Sequence, residues 1–167
     1  MIQAMADDSR YRVLGIDPGL NVTGYGCVDF RGRDADVVEA GTLTTNAKAP
    51  LADRIAQIHA DLADLLADLR PDVVAVEKLY AHTKHPRTSI LMAHARGVVL
   101  LAARQAGLGV CDLPATKVKK SLTGNGHASK QQVQRAIRST CNLADLPRPA
   151  DVADALAIAL CAGRQIR

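Results

Sequence analysis

Four acidic residues stand at the ends of apolar segments, where their carboxylates could act together. Asp17 and Glu77 each end a short apolar run, and Asp151 and Asp154 open the apolar segment PADVADALAIAL. The three-residue spacing of these two aspartates puts both carboxylates on one face of a helix. Carboxylates crowded into a partly buried site are costly unless they share protons or bind a cation. Oxygen ligands suit Mg²⁺ or Mn²⁺, and two such ions can promote phosphodiester hydrolysis.

The two aspartates of the last segment also have a purely structural explanation. A helix N-terminus favours anions by about 0.3–1 kcal/mol, so Asp151 by itself could be an ordinary first-turn acid. Asp154 fits this explanation less well, because repulsion between like charges three residues apart costs roughly a few tenths of a kcal/mol. The explanation also gives no reason why Asp17 and Glu77 end two distant apolar runs.

Positive charge is concentrated in one part of the chain, although the formal net charge is only +4. Residues 117–138 contain no acidic residue and include the cations Lys117, Lys119, Lys120, Lys130, Arg135 and Arg138. This window is either a solvated basic face or a phosphate-binding surface. Beside a carboxylate cluster, it points to metal-dependent cleavage of a nucleic acid, which neither feature indicates alone.

The elements that must position these residues can be predicted from apolar periodicity. A chain of 167 residues is expected to form one domain, which we place at residues 11–167 after a flexible extension at residues 1–10. Strands are predicted at residues 10–17, 24–30, 35–45, 71–77 and 107–113. Helices are predicted at residues 50–70 and 88–105, after the capping-box pair Ser129 and Gln132, and from Pro149, with a helical turn at 117–122. This order predicts an α/β fold with a mixed sheet and helices on both faces.

Composition excludes several classes of protein. No apolar run approaches the roughly 20 residues of a membrane span, and the N-terminal residues lack the apolar core of a signal peptide. The four cysteines lie far apart without a CxxC pair, which disfavours a zinc site or a disulfide framework. We therefore expect a cytoplasmic protein without membrane contact.

Taken together, the motifs resemble those of the RuvC family of Holliday junction resolvases. The resemblance spans nearly the whole chain in the right order, through VLGIDPGLNVTGYG (13–26), VVAVEKLY (73–80), ARGV (95–98), VKKSLTGNGHASKQQV (118–133) and DVADALAIAL (151–160). It implies an RNase H-like fold with a five-stranded sheet. It also implies an endonuclease of DNA recombination and repair that makes symmetric paired nicks in four-way DNA junctions.

The resemblance assigns roles to particular residues. It implies that Asp17, Glu77, Asp151 and Asp154 are the catalytic residues and ligands of two Mg²⁺ ions per subunit, with Mn²⁺ as a substitute. It implies that Lys119 and Lys130 contact junction DNA, and the neighbouring Lys117 and Lys120 are predicted to bind DNA with them. Homodimerisation is implied as well, together with branch-migration partners of the RuvA and RuvB type.

Two segments of the chain depart from the family pattern. Tyr80 stands where the family usually has a phenylalanine that stacks on a base near the crossover, and its added hydroxyl could alter base preference while the ring keeps its stacking. The helix before ARGV reads MAHARG where relatives often have LGQARG. Ala93 and His94 could therefore change dimer packing.

Other functions also fit some of these residues. A sugar-kinase or actin-like ATPase also begins with a strand, an I-D-x-G turn and a returning strand, but needs two lobes. An RNase H-like nuclease acting on RNA–DNA hybrids and a non-catalytic junction-binding scaffold remain as alternatives. His82 and His85 are predicted to lie in a loop near DNA rather than to form a metal pair. Gly24 and Gly26 indicate either a bulge or close packing, or close approach of DNA backbone.

Overall fold

The computed structural model describes residues 10–80 and 86–166. Its strands are β1 (Tyr11–Asp17), β2 (Val22–Arg31), β3 (Asp34–Thr44), β4 (Val73–Glu77) and β5 (Gly109–Leu113). Its helices are α1 (Leu51–Leu69), α2 (Pro86–Gln105), α3 (Ala115–Thr123), α4 (Lys130–Thr140) and α5 (Ala150–Gly163). The helical turn predicted at residues 117–122 is a nine-residue helix, closed by Gly124 in the left-handed conformation. Most of the predicted extension, at residues 1–9, lies outside the described residues, as do His82 and His85.

The five strands form one mixed sheet in the order β3-β2-β1-β4-β5. β1, β2 and β3 pair antiparallel, whereas β4 pairs parallel to β1 on one side and to β5 on the other. Ile16 is in register with Val76, so the next residue of each strand, Asp17 and Glu77, emerges at the same edge of the sheet. The topology alone therefore brings together two of the predicted acids.

Apolar side chains cover both faces of the sheet. Val13 of β1 joins the core beneath α3, α4 and α5, and its neighbour Leu14 joins the core beneath α1 and α2. This alternation follows from the two-residue period of a strand. The mixed five-stranded sheet with helices on both faces, predicted from the sequence, is confirmed.

Helix α5 is apolar on all sides because it lies at the centre of one of these cores. Eleven of its fourteen residues are buried, and it packs across β1 and β2 and against α3 and α4. Its first turn reaches the sheet edge where β1 and β4 end, which carries its two aspartates toward Asp17. A buried helix body thus holds the two charged residues at a fixed place.

Glycines let α5 approach the sheet closely. A Cβ added to Gly15 would lie 2.2 Å from the carbonyl oxygen of Ala155, and one added to Gly24 would lie 2.2 Å from the carbonyl oxygen of Asp151. Gly26 similarly contacts Leu156. The close-packing interpretation of Gly24 and Gly26 is therefore correct, and the register shift in β2 lies nearby, between Cys27 and Val28.

Candidate active site

A cleft of about 360 Å³ opens at the sheet edge where β1 and β4 end. All four predicted carboxylates line it, together with two of the predicted lysines: Asp17, Glu77, Asp151, Asp154, Lys119 and Lys130. The other lining residues are Pro18, Gly19, Val22, Met92, Ala115 and Val133. We call this the carboxylate cleft.

The backbone after Asp17 is held by polar side chains. The Thr23 hydroxyl donates to the carbonyl of Gly19 at 2.7 Å, which fixes the turn after Asp17. The buried Arg54 donates to Asn21 and, at 3.0 Å, to the Thr45 hydroxyl. The turn after β1 is consequently anchored by contacts that leave the Asp17 carboxylate available to the cleft.

Arg96 of the ARGV motif supports the other side of the cleft. Its Nε donates to the carbonyl of Glu77 at 3.2 Å, and its guanidinium pairs with Asp112 of β5. The motif carries part of the family resemblance, but the sequence alone assigns Arg96 no role. Its contact to a strand end can be seen only when α2 is placed against the sheet.

Two lysines bring positive charge into the carboxylate cleft. Lys119 comes from α3 and Lys130 is the first residue of α4. The predicted capping box is present: Gln132 N–H donates to the Ser129 hydroxyl at 3.2 Å, and Ser129 N–H donates to the Gln132 side chain at 2.8 Å. Lys130 Nζ lies 4.0 Å from Asp154 Oδ2, although the lysine side chain is 75% exposed and is free to reach a ligand.

Three carboxylates of the cleft, those of Asp17, Glu77 and Asp154, have a raised pKa and hold their protons more tightly than usual. Burial, and then the charges of Asp154, Glu77 and Asp151, raise the pKa of Asp17 to about 7, against a smaller opposing effect of Lys130. Burial is also the main cause of the raised pKa of Glu77 and of Asp154. Mutual repulsion of partly buried carboxylates is the condition that a bound cation would relieve.

The donor set fits a hard divalent cation. Its side-chain oxygens come from four carboxylates, and the nearby lysines leave the group with an excess of negative charge. In the described part of the chain, no three His, Cys, Asp or Glu side chains already form a group that could hold an ion by themselves. Mg²⁺ is commonly bound by one or two carboxylates together with substrate phosphates, so a complete protein cage is not required.

The remaining predicted DNA-contact residues lie outside the carboxylate cleft. Tyr80, 62% exposed, lines an adjacent cleft of about 460 Å³ that shares Glu77, Met92 and Ala115 with the first. Lys117 and Lys120 lie on a different side of α3 and line a separate cleft. The structure therefore divides the predicted lysines into two pairs.

The comparisons with known proteins agree with this arrangement. The sequence model of a family described as "Crossover junction endodeoxyribonuclease RuvC" matches residues 13–162. The chain belongs to the RuvC family. The RuvC crossover junction endodeoxyribonuclease of Rhodopirellula baltica is 47% identical over 149 residues, which cover 89% of this chain and 84% of the relative. The RuvC crossover junction endodeoxyribonuclease of Halothermothrix orenii is 41% identical over 155 residues, which cover 93% of this chain and 93% of the relative.

Solved RuvC structures share the fold. Thermus thermophilus RuvC in complex with a Holliday junction substrate matches with a TM-score of 0.82 at 36% identity, covering 90% of this chain and 92% of that one. The predicted RuvC relationship, RNase H-like fold and enzyme class are thus confirmed: the chain is a crossover junction endodeoxyribonuclease, a hydrolase of DNA recombination and repair. RuvC enzymes are metal-dependent nucleases. The roles of individual site residues stay predictions.

Proposed function

We propose that this enzyme resolves Holliday junctions by symmetric paired nicks, with the carboxylate cleft as its active site. The observation that carries this proposal is the convergence of Asp17, Glu77, Asp151 and Asp154 with two lysines in one cleft. The junction substrate is supported by the 36% identical T. thermophilus RuvC, whose structure was solved with a Holliday junction. The four acids come from three separate elements, which a simple acidic helix turn does not explain.

The four carboxylates would hold two Mg²⁺ ions per subunit, with Mn²⁺ able to substitute. When bound, such ions lower the pKa of an attacking water and neutralise charge on the scissile phosphate. The carboxylates must be ionised to act as ligands, so ion binding displaces the proton that Asp17 retains near neutral pH.

Lys119 and Lys130 would orient the substrate in this site. Both line the cleft with the carboxylates, and an ammonium group binds a phosphate oxygen as a compact charge. Lys130 also faces Asp154, so that loss of its charge removes both a phosphate contact and a partner of this acid. Each phosphate contact contributes about −0.9 to the slope of log K against log salt concentration.

The decisive assay compares a mobile four-way junction, a linear duplex and an RNA–DNA hybrid, each with and without Mg²⁺. We expect paired symmetric nicks in the junction alone and only with the ion. Cutting of the hybrid in preference to the junction would favour the RNase H-like alternative. Junction binding without nicking in either Mg²⁺ or Mn²⁺ would favour the scaffold alternative.

Tyr80 is proposed to stack on a base beside the active site. Its ring is exposed at the mouth of a cleft that adjoins Glu77, and aromatic stacking on a base contributes about 1–3 kcal/mol. Tyr80→Phe should retain nicking and Tyr80→Ala should reduce it, as measured on junctions that differ only at the bases around the crossover. Equal rates for the two variants would exclude stacking.

The active form is proposed to be a homodimer through the outer face of α2. Ile90 and Leu101, two large apolar residues, are 59% and 51% exposed on this helix, and Ala93, His94 and Gly97 are exposed between them at helical spacing. A second copy of the chain would cover this stripe, and two active sites are what paired nicks require. Leu101→Glu should convert a dimer to a monomer in sedimentation equilibrium; an unchanged mass would place the interface elsewhere.

The cellular setting follows from the family rather than from a particular contact. We propose a cytoplasmic enzyme that works with branch-migration proteins of the RuvA and RuvB type, because its substrate class is chromosomal DNA. The four cysteines are free thiols, which suits a reducing compartment. No helix in the described ranges is long and apolar enough to cross a bilayer.

A further inference from the structure

The lysines of α3 point to two different sides of this helix. Lys119 lines the carboxylate cleft, whereas Lys117 and Lys120 line a second cleft of about 340 Å³ between α3 and the C-terminal end of α5. We call this second space the basic cleft. Its lining residues are Lys117, Lys120, Ser121, Cys161, Arg164 and Gln165.

Arg164 is the residue of the basic cleft that sequence reasoning missed. It follows α5 directly, and its Nη1 donates to the carbonyl of Ser121 at 2.7 Å. This contact crosses from α5 to α3 and holds the guanidinium beside the lysines. The Cys161 thiol, 3.8 Å from the carbonyl of Lys117, fills the space between the two helices.

The basic cleft has an excess of positive charge, whereas the carboxylate cleft has an excess of negative charge. Three cations line it, and no carboxylate is among its six lining residues. Bringing like charges together without a counter-charge creates a local positive potential that attracts anions. A guanidinium and two ammonium groups are suited to the oxygens of a phosphate.

The distance between the two clefts can be judged from α5, which reaches both. Asp151 opens this helix in the carboxylate cleft, and Cys161 and Arg164 end it in the basic cleft. At 1.5 Å per residue, these ten to thirteen residues span about 15–20 Å. Along one strand of a duplex, at 3.4 Å per nucleotide, this length corresponds to about four to six base pairs.

We propose that the basic cleft binds the phosphate backbone of a junction arm about four to six base pairs from the nick. This inference rests on the proposed function, since it supplies a second contact for the same substrate. Lys117, Lys120 and Arg164 would position the arm while Lys119 and Lys130 hold the scissile region. Phosphate contacts of this kind set orientation without reading sequence.

Junction affinity measured across a range of salt concentrations, without divalent ion, tests the number of contacts. The triple variant Lys117→Ala, Lys120→Ala, Arg164→Ala should lose about two to three from the magnitude of the slope, at about 0.9 per contact. Arg164→Lys keeps the charge and should keep most of the slope. Arg104→Ala, which removes an exposed cation at the end of α2, is the matched control and should leave the slope unchanged. A triple variant that melts at the wild-type temperature but has the wild-type slope would overturn the proposal.

Neutral methylphosphonates placed four to six nucleotides from the nick test the position of the contact. They should weaken binding of the wild-type enzyme and leave binding of the triple variant unaffected. Equal weakening of both proteins would show that other residues contact these phosphates and would reject the proposal. Nicking of the unmodified junction by the same preparation of wild-type enzyme is measured in parallel samples that contain Mg²⁺. If the wild-type enzyme does not nick the junction, the proposed function is rejected. If it nicks the junction but the triple variant keeps the wild-type salt slope, only the proposed role of the basic cleft is rejected.

Discussion

Two aspartates of the β1–β2 hairpin are withdrawn from solvent but have opposite surroundings. Asp29, 7% exposed, lies directly across the hairpin from Arg12 and accepts a bond from its Nε at 2.6 Å. Arg10 also pairs with Asp29. Asp17 lies across the hairpin from Gly24, which carries no charge, and it faces other carboxylates instead.

The pKa values of the two aspartates move in opposite directions for this reason. Hydrogen bonds from Arg12 are the largest cause of the lowered pKa of Asp29. Burial, followed by repulsion from three carboxylates, raises the pKa of Asp17 to about 7. The charge of Asp29 is matched, because arginines of the same fold balance it. The charge of Asp17 is mismatched, because the smaller effect of Lys130 leaves it unbalanced until a cation binds. A mismatched acid of this kind marks a functional site better than burial alone.

Loss of the charge at Asp17 should have the largest effect on activity. Asp17→Asn removes a proposed metal ligand and should lower the rate of junction nicking by about 10²–10³-fold, the scale of losing a group that stabilises charge in a transition state. Single-turnover nicking with saturating enzyme and Mg²⁺ measures this rate. Asp29→Asn is the matched control and should nick at a rate within about tenfold of wild type. An equal loss of nicking rate in both variants would contradict a special role of Asp17 in the reaction.

Most of the fold could be predicted from the sequence, and so could the positions of the four carboxylates at the ends of apolar elements. The sequence placed Asp17 and Glu77 at the ends of two strands, and the parallel pairing of β1 with β4 brings these ends to one edge of the sheet. The division of Lys117 and Lys120 from Lys119 could not be predicted, because a short helical turn does not show which side faces α5. Arg164 was missed because its importance depends on its contact with Ser121, which is 43 residues away in the chain.

A Cβ at Gly24 should displace the first turn of α5 without changing the charge of any side chain. Gly24→Ala would push against the carbonyl of Asp151, and a displacement of reacting groups by about 1 Å can cost up to 10²-fold in rate. We expect kcat to fall by about 10–100-fold with little change in junction affinity. Gly109→Ala is the control, because a Cβ there meets nothing within 4 Å. If Gly24→Ala nicked at the wild-type rate, the position of the first turn of α5 would not matter.

The matched aspartate should matter for stability rather than for chemistry. Asp29→Asn leaves Arg12 without its carboxylate, and breaking a fully buried pair costs about 3–5 kcal/mol. Because Arg12 is 24% exposed and Arg10 is 54% exposed, we expect a smaller loss of about 2 kcal/mol in the free energy of unfolding, measured by urea denaturation. Asp17→Asn should be at least as stable as wild type in the absence of divalent ions, and a loss there as large as that in Asp29→Asn would contradict the proposed mismatch.

The difference between Asp17 and Asp29 should also appear in the pH dependence of stability, where the expected effect is the smallest but the most specific. Asp17 binds its proton more tightly in the folded than in the unfolded chain, where its pKa is near 3.8, so its contribution to stability falls as pH rises from about 4 to about 7. Asp29 behaves oppositely: its contribution is present above the unfolded pKa and is lost as pH falls through its lowered folded pKa. Without divalent ions, the wild type should therefore lose about 1–2 kcal/mol relative to Asp17→Asn between pH 5 and 6.5. Mg²⁺ should remove this difference by keeping the carboxylate ionised, so a slope that persists in Mg²⁺ would assign the titration to a group outside the carboxylate cleft.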